Sequence, residues 1–378
     1  MSNLLTNRAL EEEVSLQVVY VKKDKPKHNY EQIDTIRFIN IFFIVWGHCL
    51  LGWDSRFFNS VTDDLITTIV LQTGRLSTVV FFIVSGFLLK PKLETYTVSS
   101  YFKERIPKIY SPWFIFITIF LILNIIHLLP FRSLWQNRDL PQFIRLNYNI
   151  LNGVMLHSAY WFITTYMVGM AIIVAFKKYV KTFWFGGVLF FVTIFYCFNL
   201  HYQWIDPNHQ KAVLAYTFFI WLGIKVNTHY TRILEITKKV SWLIIIALFL
   251  LTFAVAGFEG YNLTVLKSGD AFASNRLSNV VLSVVFFILL LKIGKISSIN
   301  NLNPRRTVYG IYLVHAIVIL ELMIFLNSGY MEYISGYNIW NLLLLQIGFA
   351  LFIFWLTYKI VKIIGNSRLC WTIGCRRA

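Results

Sequence analysis

The amino-acid sequence predicts an all-α integral membrane protein of about ten transmembrane helices, with the N- and C-termini both cytoplasmic. Three observations lead there. The chain is 57% hydrophobic and only 14% charged, where a soluble domain carries about 25% charged residues. Its apolar residues, 34 phenylalanines among them, come in blocks rather than at helical spacing, which makes helices that are apolar all round and suited to lipid. Lys and Arg also fall unequally on alternate sides of those blocks, roughly four to one, with the richer side cytoplasmic.

Crossing a bilayer takes about 20 apolar residues. The first block, 36–53, follows a polar, charged stretch that reads as a cytoplasmic lead-in rather than a cleavable signal peptide. The second and third, 66–89 and 112–129, flank a basic segment at 90–111. A long segment at 130–159, with Pro130 and Pro141, then lies on the opposite side, too small for a separate catalytic domain. The remaining blocks are 160–176, 183–199, 211–225 (the shortest), 241–257, 276–293, 308–326 and 339–361. The chain divides into a lead-in at 1–35, one membrane domain at 36–364 and a short basic tail at 365–378.

Net charge is +17, which in a soluble protein would suggest nucleic acid. Here the basic residues sit between apolar blocks, so topology accounts for them; the expected surroundings are the lipid bilayer and no nucleic-acid partner. Arg276 counts among the few basic residues of the opposite side. Cys49, Cys197, Cys370 and Cys375 are scattered, with no disulfide framework and no metal spacing.

An ionisable group inside a span costs at least about 2.5–3.5 kcal/mol, so such groups mark functional cavities. The candidates are Arg37, His48, Arg75, His315 and Glu321. Arg37 and His48 are eleven residues apart, three helical turns plus about 20°, and so share one face about 16 Å apart along the axis. Singly, Arg37 fits a snorkelling anchor and His48 an interhelical hydrogen bond; the shared face favours a joint role. Arg75 lies mid-span, too deep to snorkel. Glu321 is the natural partner for Arg75 or for a protonated His48, as structural glue or as an acid. His315 lies 240° round the helix from Glu321 and reads as a hydrogen-bonded structural histidine.

These residues resemble the membrane-bound acyltransferase-3 family. Arg37 and His48 match its Arg, ten residues, His signature, and the run from Phe81 through Ser85 to Leu89 is similar to the end of its second helix. The segment Phe102–Pro112 resembles its basic loop, although Lys108 stands where the family has arginine. Tyr160-Trp161-Phe162 is similar to the opening of its fourth helix, whose usual preceding histidine falls on Ala159, with His157 two residues away. Gly310-Ile311-Tyr312-Leu313-Val314-His315 is similar to its ninth-helix motif.

The resemblance implies a stand-alone enzyme of the cell (inner or plasma) membrane with no bound cofactor. It implies transfer of an acyl group, usually acetyl, from cytoplasmic acyl-CoA (acetyl-CoA) as co-substrate to a hydroxyl of a cell-surface glycan or its lipid-linked precursor. His48, Arg37, Arg75 and Glu321 are then the candidate catalytic residues. Arg37, Lys103, Arg105 and Lys108 are candidates for holding acyl-CoA, and Trp161, Ser85, Tyr312 and His315 for holding the acceptor. The rival reading is a transporter or flippase exporting a glycan or small solute, in which buried charges are equally at home.

Overall fold

The computed structural model of the chain describes residues 30–128, 158–326 and 337–375, together with 145, 148–149 and 151–154. From Gln32 onward they belong to one compact unit. His157 and most of the segment at 130–159 lie outside the described residues.

The helices are α1 (Glu31–His48), α2 (Val61–Thr73), α3 (Thr78–Leu89), α4 (Val98–Arg105), α5 (Ser111–Leu128), α6 (Trp161–Ala175) and α7 (Phe183–Tyr202). They continue with α8 (Thr217–Thr228), α9 (Tyr230–Lys239), α10 (Trp242–Val265), α11 (Leu277–Ile293), α12 (Pro304–Leu326) and α13 (Ile339–Asn366). Among the described residues six helical stretches are long and apolar enough to cross a membrane, and α6, α11 and the stretch ending in α8 are shorter apolar ones. α1 has Glu31, Asp34 and Arg37 in its first two turns and is too polar there to count with them. The protein is an all-α membrane protein. Each predicted span overlaps one of these helices or the α2–α3 pair.

Four details differ from the sequence reading. α1 starts earlier and stops at His48, not 53, and the chain then turns through Gly52 in the left-handed region at φ 70°. The second span is broken between Thr73 and Thr78. The basic segment before the third span is not a loop. Thr97 and Ser100 form a capping box that starts α4, and the helix runs into a π turn at Ile106–Tyr110. Pro107 has no N–H to give an α-helical bond, and the wider turn absorbs that loss. The 225–240 segment holds the amphipathic α9.

In lipid, helices gain no hydrophobic energy by meeting, so close contact depends on small residues that let backbones approach. α3 and α8 show this. A Cβ at Gly86 would stand 1.8 Å from the Ile220 carbonyl oxygen, and one at Gly223 would stand 1.9 Å from that of Ile83. Both obstacles are backbone and cannot swing aside. Gly86→Val is therefore expected to cost about 3 kcal/mol or more, read as a lower melting temperature and a smaller monodisperse yield in detergent. A normal yield and melting temperature would show that the contact is dispensable.

Hydrogen bonds fix the other helices that matter here. Trp46 Nε1 donates to the Val70 carbonyl (3.1 Å), joining α1 to α2. The Tyr160 hydroxyl donates to the Leu313 carbonyl and the Tyr312 hydroxyl to that of Ala159, both at 2.8 Å, tying the start of α6 to α12 reciprocally.

Candidate active site

One cavity of about 360 Å³ lies among α1, α3, α6 and α12, within the size range of small-molecule sites. Arg37, His48, Arg75, Ser85, Arg105, Lys108, Trp161 and Tyr312 all line it. Lys103, His315 and Glu321 do not.

α1 brings both Arg37 and His48 to the cavity, as their shared face predicts. Arg37 is not a bare cation: its guanidinium lies 3.7 Å from Asp34, which also accepts from Arg305 Nε at 2.7 Å. His48 is half-buried and makes no hydrogen bond among the described residues. Behind it stands His315, ring centres 5.3 Å apart. His315 is fully buried; its Nδ1 bonds the carbonyls of Ile311 and Tyr312, while Nε2 has no partner among the described residues.

Arg75 owes its place to the break in the second span. Gly74 packs directly on Gly47, so close that a Cβ on Gly74 would sit 2.6 Å from the Gly47 Cα. The residues after these two glycines are Arg75 and His48, so the packing brings their backbones close, and both residues line the cavity. A polar network holds the broken ends. Buried Arg276 donates to Gln72 Oε1 (2.5 Å) and to the carbonyls of Ala256 and Ala273; Gln72 donates to Asn279 (2.8 Å); Asn279 donates to the carbonyls of Arg75 and Ser274. Arg276 is thus a structural brace inside the bundle, not the loop charge its position in the sequence suggests.

The expected pairing of Arg75 with Glu321 is not formed: among the described residues Arg75 has no ion pair within 4 Å, and the carboxylate whose field it shares is Asp270. Glu321 sits farther along α12, away from the cavity lining.

At the basic end, Arg105 lies near the Tyr101 ring (5.8 Å), and its buried Nε lacks a hydrogen-bond partner among the described residues. Lys108 pairs with Glu104 at 3.1 Å, as does Lys92, and the Tyr96 hydroxyl donates to the same carboxylate at 2.6 Å. Lys103 is exposed. Of the four predicted donor-binding cations, Arg105 alone combines a place on the cavity with a buried N–H left unmet. The C-terminal tail also reaches this end. Gly374, at φ 72°, lines the cavity, so close to Lys108 that a Cβ would meet its carbonyl at 2.5 Å.

On the remaining walls, Ser85 Oγ donates back to the Phe81 carbonyl (2.7 Å), and the Tyr312 hydroxyl is committed to Ala159. Trp161 is buried and meets the ring of His209 edge-on, centres 5.1 Å apart. His209, Gln210 and Tyr166 line the cavity and escape the sequence reading, which searched for charge only within spans.

The site is therefore a membrane cavity lined by several cations and by an imidazole and a guanidinium from two closely packed segments. The chain matches the acyltransferase-3 family model, an acyltransferase domain, over residues 30–362. The chain belongs to this family. No curated protein and no solved structure matches it significantly. Family membership also decides between the two readings of the sequence, transfer over export. In this membrane acyltransferase the two halves of the family's first signature, Arg37 and His48, open onto the same cavity.

Proposed function

We propose that this acyltransferase moves an acyl group, acetyl in the first instance, from cytoplasmic acyl-CoA to a hydroxyl of a cell-surface glycan or its lipid-linked precursor. One observation carries the reading: a single cavity is lined both by the basic residues Arg37, Arg105 and Lys108 and by His48 and Arg75. The phosphates of CoA suit the basic end, and the pantetheine arm reaches inward. A neutral imidazole at His48 suits proton removal or direct attack near pH 7.

The thioester carbonyl gains negative charge as it is attacked. Arg75 stands beside His48, and the first turn of α3 begins three residues on, its free N–H groups and positive dipole end adding to the guanidinium charge. When the acceptor oxygen, or the His48 nitrogen, bonds to the acyl carbon, the C–S bond breaks and CoA leaves as thiolate. Membrane location is expected to be the cell membrane, which puts the CoA pool and the glycan on opposite sides of the site.

The test uses purified full-length protein with radiolabelled acetyl-CoA, and mass spectrometry of surface glycans with and without the gene. Acetyl-CoA turnover and loss of a glycan acetyl group are the supporting results; no acetyl-CoA binding or turnover would overturn the reading. Within it, Arg75→Gln is expected to lower kcat by about 10²–10³-fold while the acetyl-CoA KM stays within a few-fold. A change confined to KM would assign Arg75 to donor binding.

A further inference from the structure

A second histidine faces the same cavity, and it comes from a part of the chain with no apolar pattern. His209 lies in the segment between α7 and α8, and Asp270 in the segment between α10 and α11. Both segments fold inward: His209, Ala212 and Ala215 are buried, as are Phe272, Ala273, Ser274 and Asn275. One oxygen of Asp270, Oδ2, accepts from the His209 backbone N–H (2.9 Å) and bonds its Nδ1 in a short contact. Burial alone would raise the Asp270 carboxyl, but the contacts with His209 and the charge of Arg75 outweigh it and hold the group at about 2. The carboxylate is therefore ionised and accepts from Nδ1–H; in the neutral ring this tautomer leaves the lone pair on Nε2, which among the described residues has no hydrogen-bond partner. His209 is only 6% exposed, yet it is part of the cavity wall beside Gln210 and Trp161. A carboxylate-oriented imidazole with a bare nitrogen on a cavity is the arrangement of a general base.

The cavity thus carries two imidazoles, and they come from different directions. His48 is at the end of α1, beside Arg75, on the helix that also carries Arg37 toward the basic end. His209 comes instead from the segment between α7 and α8 and lines the cavity together with Trp161 and Gln210. Resting on the acyl-transfer reading above, the geometry points to a division of labour in which His48 takes the acyl group from CoA and His209 deprotonates the acceptor hydroxyl that removes it. In the first step a neutral His48 nitrogen bonds to the thioester carbon, the C–S bond breaks, and CoA leaves as thiolate from an acyl-imidazolium. In the second, the acceptor O–H gives its proton to His209 Nε2, the oxygen bonds to the acyl carbon, and His48 leaves as neutral imidazole. The proton on His209 passes to water, so the sum is acyl-CoA plus alcohol giving ester, thiolate and one proton. Asp270 is a positioning residue: it holds the ring and stabilises the imidazolium.

The two steps separate experimentally without knowledge of the natural acceptor. Full-length protein in detergent is given acetyl-CoA with tritiated CoA, which reports the first step as isotope exchange, and water or glycerol as acceptor, which reports both. His209→Gln is expected to lower transfer to water and glycerol by about 10²-fold or more and to leave exchange within threefold; His48→Gln is expected to lower both by about 10²–10⁴-fold. Asp270→Asn is expected to lower the kcat of transfer by about tenfold or more without moving the acetyl-CoA KM, with partial recovery in Asp270→Glu. Equal loss of exchange and transfer in His209→Gln would overturn the assignment, as would unchanged transfer. Transfer by the wild-type protein with no exchange would establish direct attack and overturn the acyl-His48 step. A wild-type protein with neither activity would overturn the acetyl-CoA reading itself, and this inference with it.

Discussion

Replacing His48 with glutamine is expected to lower acetyl-CoA-dependent acyl transfer by about 10²–10⁴-fold, the usual contribution of a positioned acid–base group. Glutamine keeps approximate size and polarity, so the half-buried position at the end of α1 is filled and the packing of Trp46 on Val70 stays intact. What is lost is a nitrogen that can accept a proton or an acyl group near pH 7. Equilibrium binding of acetyl-CoA should persist, because Arg105 and Lys108 at the basic end are untouched. Turnover within threefold of wild type, at equal protein level and melting temperature, would remove His48 from the chemistry. The neighbouring His315 cannot readily take over. Its Nδ1 is bonded to two carbonyls and it does not reach the cavity lining.

What could be read from the sequence and what could not divides along a physical line. Arg37 and His48 share a face because helical geometry alone sets the angle between residues eleven apart, and the structure places both on one cavity. The helices themselves were legible because lipid admits only segments whose backbone is satisfied internally. Arg75 was legible as a buried charge, but the break beside it was not, since Gly74, the C-cap of α2, is a lone glycine in an apolar run and such a residue is also tolerated inside a span. The break depends on Gly47 arriving from another helix and on Arg276, Gln72 and Asn279 bracing the ends. Arg276 was misassigned for a related reason: in a count of basic residues by side, a fully buried brace at the start of α11 looks the same as a solvated loop charge. His209 and Asp270 lie in polar segments 61 residues apart, and no local pattern reports that two such segments fold inward and meet. Glu321 illustrates the opposite error. Depth along a helix suggested a partner for Arg75, but depth says nothing of rotation or of which neighbour intervenes.

The dependence of the site on one glycine contact leads to the second large effect, at Gly74. Its φ of −67° is open to any residue, so backbone conformation does not require glycine there; the approach of α1 does. A Cβ at position 74 would meet the Gly47 Cα at 2.6 Å and its nitrogen at 3.3 Å, while a Cβ at Gly47 would meet the Gly74 carbonyl oxygen at 2.7 Å. All are main-chain atoms, so a methyl group can be admitted only by moving α1 away from the break. That movement separates His48 from Arg75, and a misplacement of about 1 Å between catalytic groups costs on the order of 10² in rate. Gly74→Ala is therefore expected to lower turnover by about 10²-fold or more while destabilising the fold by only about 1–3 kcal/mol, so that protein is still recovered and still binds acetyl-CoA. Gly187→Ala serves as the comparison, because a Cβ there meets nothing within 4 Å and α7 gains a better helix former. Wild-type turnover in purified Gly74→Ala would mean that the closeness of α1 to the break is not what aligns His48 with Arg75.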